Sequence, residues 1–290
     1  MSWRWEALFE TELEPEVDDL SRYWRSEKST IPVGRMGYRR AVALAGDRLE
    51  CEIYPAFGKE ETARLRAAKK NVTPAKQKIL NDKRARRHLI MLADANFTEK
   101  DIHLTLTYRT EVSLAQCRKD VRNFLLRVKR YRAKHGMEEL KYIYTIEGTR
   151  EIRQGAGVGR IHVHMLMNGG VSREKLEEIW ELGYANADRL QPTERGLEEI
   201  ASYIIKEAKD KGRKFAASRN LTQPKRRATD ARTSNRTVKL MAQDMRNEAK
   251  EQMERMYPAY SFVEMKIYYS DIIDGIYIRA LMRRRRGRRV

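Results

Sequence analysis

RIHVHMLMN, residues 160–168, reads as a β-strand with two unlike faces. Side chains at i and i+2 share a face of a strand. Ile161, Val163, Met165 and Met167 therefore form one apolar side, and His162 and His164 point to the other. Two imidazoles on one strand face can converge on a single ion. The plainer alternative is an exposed face that happens to carry two histidines, and the neighbouring strands decide between them. In LKYIYTIEG (140–148), Tyr142, Tyr144 and Ile146 fall on one side, and Ile143, Thr145 and Glu147 on the other. If the two strands pair about the loop at 149–160, Glu147 lies opposite His162, and directly opposed side chains sit close enough to share an ion. IHLTLTY (102–108) alternates Leu104, Leu106 and Tyr108 with Thr105 and Thr107. The expected sheet has an apolar face for helices and a polar face of Thr, Glu and His. Two histidines and one carboxylate leave coordination positions open, as catalysis requires.

Around these strands, residues 113–135 carry apolar residues at helical spacing and stop at Gly136. Residues 172–183 form a helix with Ser172 as N-cap, 184–191 a short strand, and 194–212 a helix ending at Gly212. The order βαββαβα predicts an α+β fold, an antiparallel sheet with helices mainly on one face. The glycine-rich linker TREIRQGAGVG (149–159) matches neither GxGxxG nor GxxxxGK[ST] and reads as a flexible hairpin loop.

Three segments follow. Residues 1–95 are an N-terminal basic extension: short helix and loop to residue 38, a hairpin at 39–54 turning at Gly46-Asp47, and a helical stretch at 59–70. A further helix starts at Thr73-Pro74 and runs to Ala95. Its cations Lys76, Lys78, Lys83, Arg84, Arg86 and Arg87 are either a solvated face or a phosphate-contacting arm. Residues 96–224 are the core. Residues 225–290 add a helix (238–256), a strand pair (261–282) turning at Asp274-Gly275, and the basic tail RRRRGRRV. The connecting stretch 213–237 reads as loop.

In 290 residues, 60 Lys and Arg face 41 Asp and Glu, a net charge of +19, which favours a polyanionic partner. No apolar run approaches the ~20 residues that span a bilayer. No secretory signal is visible, so a cytoplasmic protein is expected. Cys51 and Cys117 make neither a disulfide framework nor a zinc motif. Charge alone does not separate an enzyme from a coating protein. On the helix 194–212, Tyr203 and Lys206 share a face, while Ile200, Ile204 and Ile205 supply a buried stripe. A phenol beside a cation and near a divalent ion is a candidate nucleophile.

These residues together resemble the HUH single-strand endonucleases, and within them the rolling-circle replication initiators of bacterial plasmids and phages. LTLTY (104–108) looks like the first strand motif, HVH (162–164) the metal motif, and YIIK (203–206) the Tyr-x-x-Lys nucleophile motif. NF-x-x-x-D (96–101) and SRNLTQP (218–224) resemble flanking stretches of the same group. The resemblance implies an HUH/RRM-like core in which His162 and His164 bind Mg²⁺ or Mn²⁺, with Glu147 at the third-ligand position that some relatives use. It implies attack by Tyr203 on single-stranded or origin DNA to give a 5′-phosphotyrosine and a free 3′-hydroxyl, with Lys206 stabilising phosphate charge or orienting the phenolate. One tyrosine on that helix points to a single-tyrosine enzyme, and without a Walker motif unwinding falls to a host helicase or to supercoiling. A single-tyrosine transposase or relaxase shares the chemistry. A non-catalytic basic nucleic-acid-binding protein is the reading of another class.

Overall fold

A computed structural model describes residues 11–12, 37–58, 74–148, 161–206, 214–269 and 275–285. In chain order the first elements are β1 (Thr11–Glu12), β2 (Tyr38–Ala45), β3 (Arg48–Pro55), α1 (Pro74–Asn96), β4 (Ile102–Thr107), α2 (Leu114–Lys134), β5 (Tyr142–Glu147) and β6 (His162–Met167). Then come α3 (Arg173–Trp180), β7 (Ala185–Arg189), α4 (Glu198–Lys206), β8 (Ala216–Ala217), β9 (Lys225–Thr233), α5 (Asn235–Gln243), α6 (Asn247–Met256), β10 (Tyr260–Tyr269) and β11 (Ile276–Arg284). They form two antiparallel sheets with helices, an α+β fold, in two compact units: Met1–Lys83 with Pro224–Val290, and Arg84–Gln223. The helical stretch at 59–70, most of 1–38, the loop at 149–160, the turn at Asp274 and the last residues of the basic tail lie outside the described residues.

The unit Arg84–Gln223 holds a sheet in the order β7-β4-β6-β5-β8. Its first face carries Leu104, Leu106, Ile146, Val163, Met165 and Met167, packed against Val121, Phe124 and Val128 of α2 and Leu176 and Trp180 of α3. Local signals set those helices. Ser113 caps α2 by accepting from the Gln116 amide, Gly136 ends it at φ +63°, and Ser172 caps α3 by accepting from the Lys175 amide. After α3 the chain turns back tightly: a Cβ at Gly183 would sit 2.0 Å from the Thr107 carbonyl oxygen, so only glycine fits. The Trp180 indole donates to that same carbonyl at 2.7 Å.

The second face differs from the uniformly polar surface that alternation predicts. Ile143 and Leu166 are wholly buried there, under Leu89, Ile90, Leu92 and Ala93 of α1 and Ala201, Ile204 and Ile205 of α4. The end of α1 thus contributes to the core on one side, where Arg87 is buried, while Lys78, Lys83 and Arg86 stay exposed and Arg86 donates to the Ser202 hydroxyl at 3.0 Å. The flanking stretches NFTEKD and SRNLTQP work as staples. Asn96 accepts from the Thr222 amide at 2.7 Å and donates to its carbonyl, Asp101 accepts from the Gly169 amide, and the Ser218 hydroxyl accepts from the Tyr142 amide.

The unit formed by the chain ends holds a sheet in the order β1-β10-β11-β3-β2-β9, with α5 and α6 packed on Leu49, Cys51, Ile53, Ile267 and Ile278. Three expectations change here. Residues 225–233 are a strand on β2 rather than loop; an edge strand takes its ladder from its neighbour's backbone, and KRRATDART has no apolar alternation to announce it. The single helix at 238–256 is two, because Asp244 adopts an extended conformation and its carboxylate accepts from the Arg246 and Asn247 amides. The tail also starts later: Arg283 and Arg284 belong to β11, and Arg285 donates to the Tyr260 carbonyl.

Candidate active site

The register of the β7-β4-β6-β5-β8 sheet brings the expected residues together. β5 pairs with β6 so that Glu147 faces His162 and Thr145 faces His164, and β4 sets Thr107 and Thr105 on the other side of the same histidines. Glu147 Oε2 lies 2.9 Å from His162 Nε2 and 3.0 Å from His164 Nε2. The three donor atoms all lie within 4.8 Å of one another. His164 is buried, and His162 and Glu147 are partly open. One carboxylate oxygen and two imidazole Nε2 atoms converging from one sheet face fit a divalent cation with positions to spare.

His164 is oriented from behind. Its Nδ1 lies 3.3 Å from Thr105 Oγ1 and 3.3 Å from His103 Nε2. A hydrogen bond donated from Nδ1 to the Thr105 hydroxyl would leave the Nε2 lone pair for a metal. The His103 ring stacks on His164 with centroids 5.5 Å apart. Burial, helped by the neighbouring His164, lowers the His103 pKa from 6.5 to about 4, so its ring is neutral at pH 7. Sequence reasoning passed over His103, although the parity that selected Thr105 and Thr107 puts it on their face.

Tyr203 approaches from the helical layer. Its ring stands edge-on to His164 at 5.3 Å and to His103 at 6.4 Å. It is 51 % exposed, although its helix neighbours Ile204 and Ile205 are buried. Helix α4 is tied to the sheet beside it by the buried Thr145 hydroxyl, which donates to the Ile204 carbonyl at 2.8 Å. Lys206 is exposed in the last turn of α4 and, among the described residues, forms no hydrogen bond or ion pair with the cluster. The helix is also shorter at its start than 194–212 suggests, because Thr193 and Gly196 bond reciprocally in a turn that precedes it.

Residues 101–211 match a family model, that of the replication-associated protein ORF2. The matched stretch contains Glu147, His162, His164 and Tyr203 and runs from β4 into the chain after α4. No curated protein and no solved structure matches the chain. The family match is consistent with a replication initiator that binds DNA. Among the described residues no helix is long and apolar enough to cross a membrane.

Proposed function

We propose that the protein is a metal-dependent, site-specific single-stranded DNA endonuclease and strand transferase that initiates rolling-circle replication, as its resemblance to the HUH endonucleases implies. The observation that carries this reading is the exposed Tyr203 ring 5.3 Å from the ring of His164, one of three converged metal donors. Glu147, His162 and His164 would hold Mn²⁺ or Mg²⁺; the imidazole pair favours Mn²⁺ as the softer of the two. Bound there, such a cation would supply Lewis-acid polarisation of a phosphoryl oxygen.

The chain's own residues do the rest. Tyr203 Oη attacks the phosphorus of one phosphodiester, and its proton passes through solvent to the departing 3′-oxygen. The Tyr203 Oη–P bond forms as the P–O3′ bond breaks, and the departing 3′-oxygen is protonated to a hydroxyl that can prime synthesis. The 5′-phosphate stays esterified to Tyr203, so the bond is conserved for later strand transfer. His103 and Thr105, each 3.3 Å from His164 Nδ1, position the His164 ring. Lys206, on the same helix, is free to move toward the incoming phosphate and offset its charge.

The test is incubation of the full chain with pooled single-stranded DNA fragments and Mn²⁺, a denaturing gel, and peptide mapping of any adduct. DNA is expected on Tyr203, with loss of the adduct in Tyr203→Phe and in the His162→Ala, His164→Ala double variant while DNA binding persists. An adduct on another residue, or nicking by the double variant in metal-scrubbed buffer, refutes the reading. A chain that binds DNA but forms no adduct under any divalent metal favours the non-catalytic binding protein.

A further inference from the structure

A cleft of about 810 Å³ lies on the other face of the sheet, between α2 and the β5–β8 edge. We infer that it holds a segment of single-stranded DNA outside the cleavage site. The inference rests on the proposed action on single strands and adds a surface that this reading does not require.

Charge is the first argument. Arg118, Arg122 and Lys129 line the cleft from α2, and Lys214 and Arg219 line it from around β8, against one carboxylate, Glu139. Lys129 is matched to Glu139 at 3.3 Å. Five cations against one carboxylate give the cleft a positive balance that suits a chain of phosphates.

The floor is the second argument. Tyr142 and Tyr144 line the cleft, half-buried, with ring centroids 6.1 Å apart and planes 31° apart. Burial raises the pKa of the Tyr144 hydroxyl, and the positive charges of Arg118 and Arg122 oppose it, so both guanidinium groups act on that ring's hydroxyl. Leu126, also lining the cleft, is 46 % exposed on a helix whose other apolar residues are mostly buried. Aromatic faces between cations are what unpaired bases need, and a duplex hides its bases from them.

Continuity with the site is the third argument. β8 pairs with Ile143 and Tyr144 alone, so among the described residues no strand covers the outer edge of β5 at 145–147. That edge ends at the metal donor Glu147, and Thr145 and Ile146 line the cleft. A single strand leaving Glu147 can follow the edge of β5 and lie along Tyr144 and Tyr142.

The experiment measures binding of the full chain to a fluorescein-labelled oligothymidylate by anisotropy across a salt series. Arg118→Ala, Arg122→Ala and Arg219→Ala are combined in one variant. Lys100→Ala, Arg109→Ala and Arg173→Ala, all exposed and outside the cleft, form the control. Each lost phosphate contact lowers the slope of log K against log salt by about 0.7, so the cleft variant should lose about 2 and bind at least tenfold more weakly at low salt. Iododeoxyuridine placed along the oligonucleotide should crosslink to Tyr142 or Tyr144. Equal slopes for the two triple variants, crosslinks confined to other peptides, or a duplex competing as well as the single strand each overturn the assignment. The Tyr203 adduct is scored in parallel. A slope loss with cleft crosslinks but no adduct leaves the cleft standing and removes the nickase; an adduct with unchanged slopes does the reverse.

Discussion

Thr145→Val tests how the nucleophile is held. Thr145 is 2 % exposed, and its hydroxyl donates to the carbonyl of Ile204, the residue next to Tyr203. Valine keeps the branched shape and removes the donor, so packing is nearly unchanged. The bond itself is worth about 1 kcal/mol net, and leaving the carbonyl of the fully buried Ile204 without this partner brings the cost to about 2 kcal/mol. For a unit of this size that lowers Tm by roughly 5–10 °C. The kinetic effect should be larger than the thermal one. Without this tie α4 can slide on the sheet, and a displacement of about 1 Å at a reacting group costs up to ~100-fold in rate. Single-turnover adduct formation with single-stranded DNA should therefore slow by at least about tenfold. Mn²⁺ affinity, read by calorimetric titration, should not change, because the proposed donors are Glu147, His162 and His164. Thr145→Ser keeps the hydroxyl and should recover most of the rate despite its missing methyl. A folded Thr145→Val protein that forms adduct at the wild-type rate would refute the reasoning, as would a rate loss matched by an equal loss of metal affinity.

Three further outcomes follow from other contacts. Glu147→Gln keeps an oxygen beside both imidazoles but removes the cluster's one carboxylate charge, so Mn²⁺ affinity should fall about 100-fold or more; a change under threefold in titration removes Glu147 from the site. Arg132 is buried and donates to the carbonyls of Glu138, Asn168 and Gly169, so Arg132→Met should cost on the order of 3 kcal/mol in urea unfolding, and a loss below about 1 kcal/mol contradicts that role. Cys51 is fully buried 3.5 Å from the Tyr257 hydroxyl, and burial lifts its pKa from 9.0 to about 11. The folded thiol should thus resist Ellman's reagent at pH 8 until denaturant is added. Because the folded pKa is the higher one, the stabilisation is complete below pH 9 and lost as pH rises through about 11, so Tm should fall across that window, and a flat profile would contradict it.

The β7-β4-β6-β5-β8 sheet was legible because its strands obey period two and its pairing is antiparallel. Parity assigned His162, His164 and Glu147 to one face, and a hairpin about 149–160 set Glu147 opposite His162, as the register has it. The same logic fails where burial is lopsided. Leu166 and Ile143 share the histidines' face, yet they lie under α1 and α4, and nothing in a strand's own pattern announces which stretch of a face a distant helix covers. Basic residues misled in a related way. Arg87 and Arg132 sit in runs of like charge and are nonetheless buried, because a guanidinium has five donors and a long apolar stem and can be buried wherever carbonyls gather. Arg132 meets three of them at the junction of α2, β5 and β6.

The candidate site divides along the same line. Its metal donors come from one sheet, where spacing fixes geometry and the sequence displays the spacing. Its nucleophile comes from a helix, and a helix's position on a sheet depends on single contacts: Thr145 to Ile204, Arg86 to Ser202, and the Asp94 carboxylate accepting from the Leu197 amide at 2.9 Å. None of these three has a period, so none can be read before the structure is known. The YIIK motif identified Tyr203 by resemblance, and its exposure among buried isoleucines is what geometry adds. In the proposed function, metal binding and nucleophile placement are accordingly set by different residues. Substitutions in the sheet donors should abolish both metal affinity and adduct, whereas substitutions in the helix ties should slow the adduct and leave the metal bound.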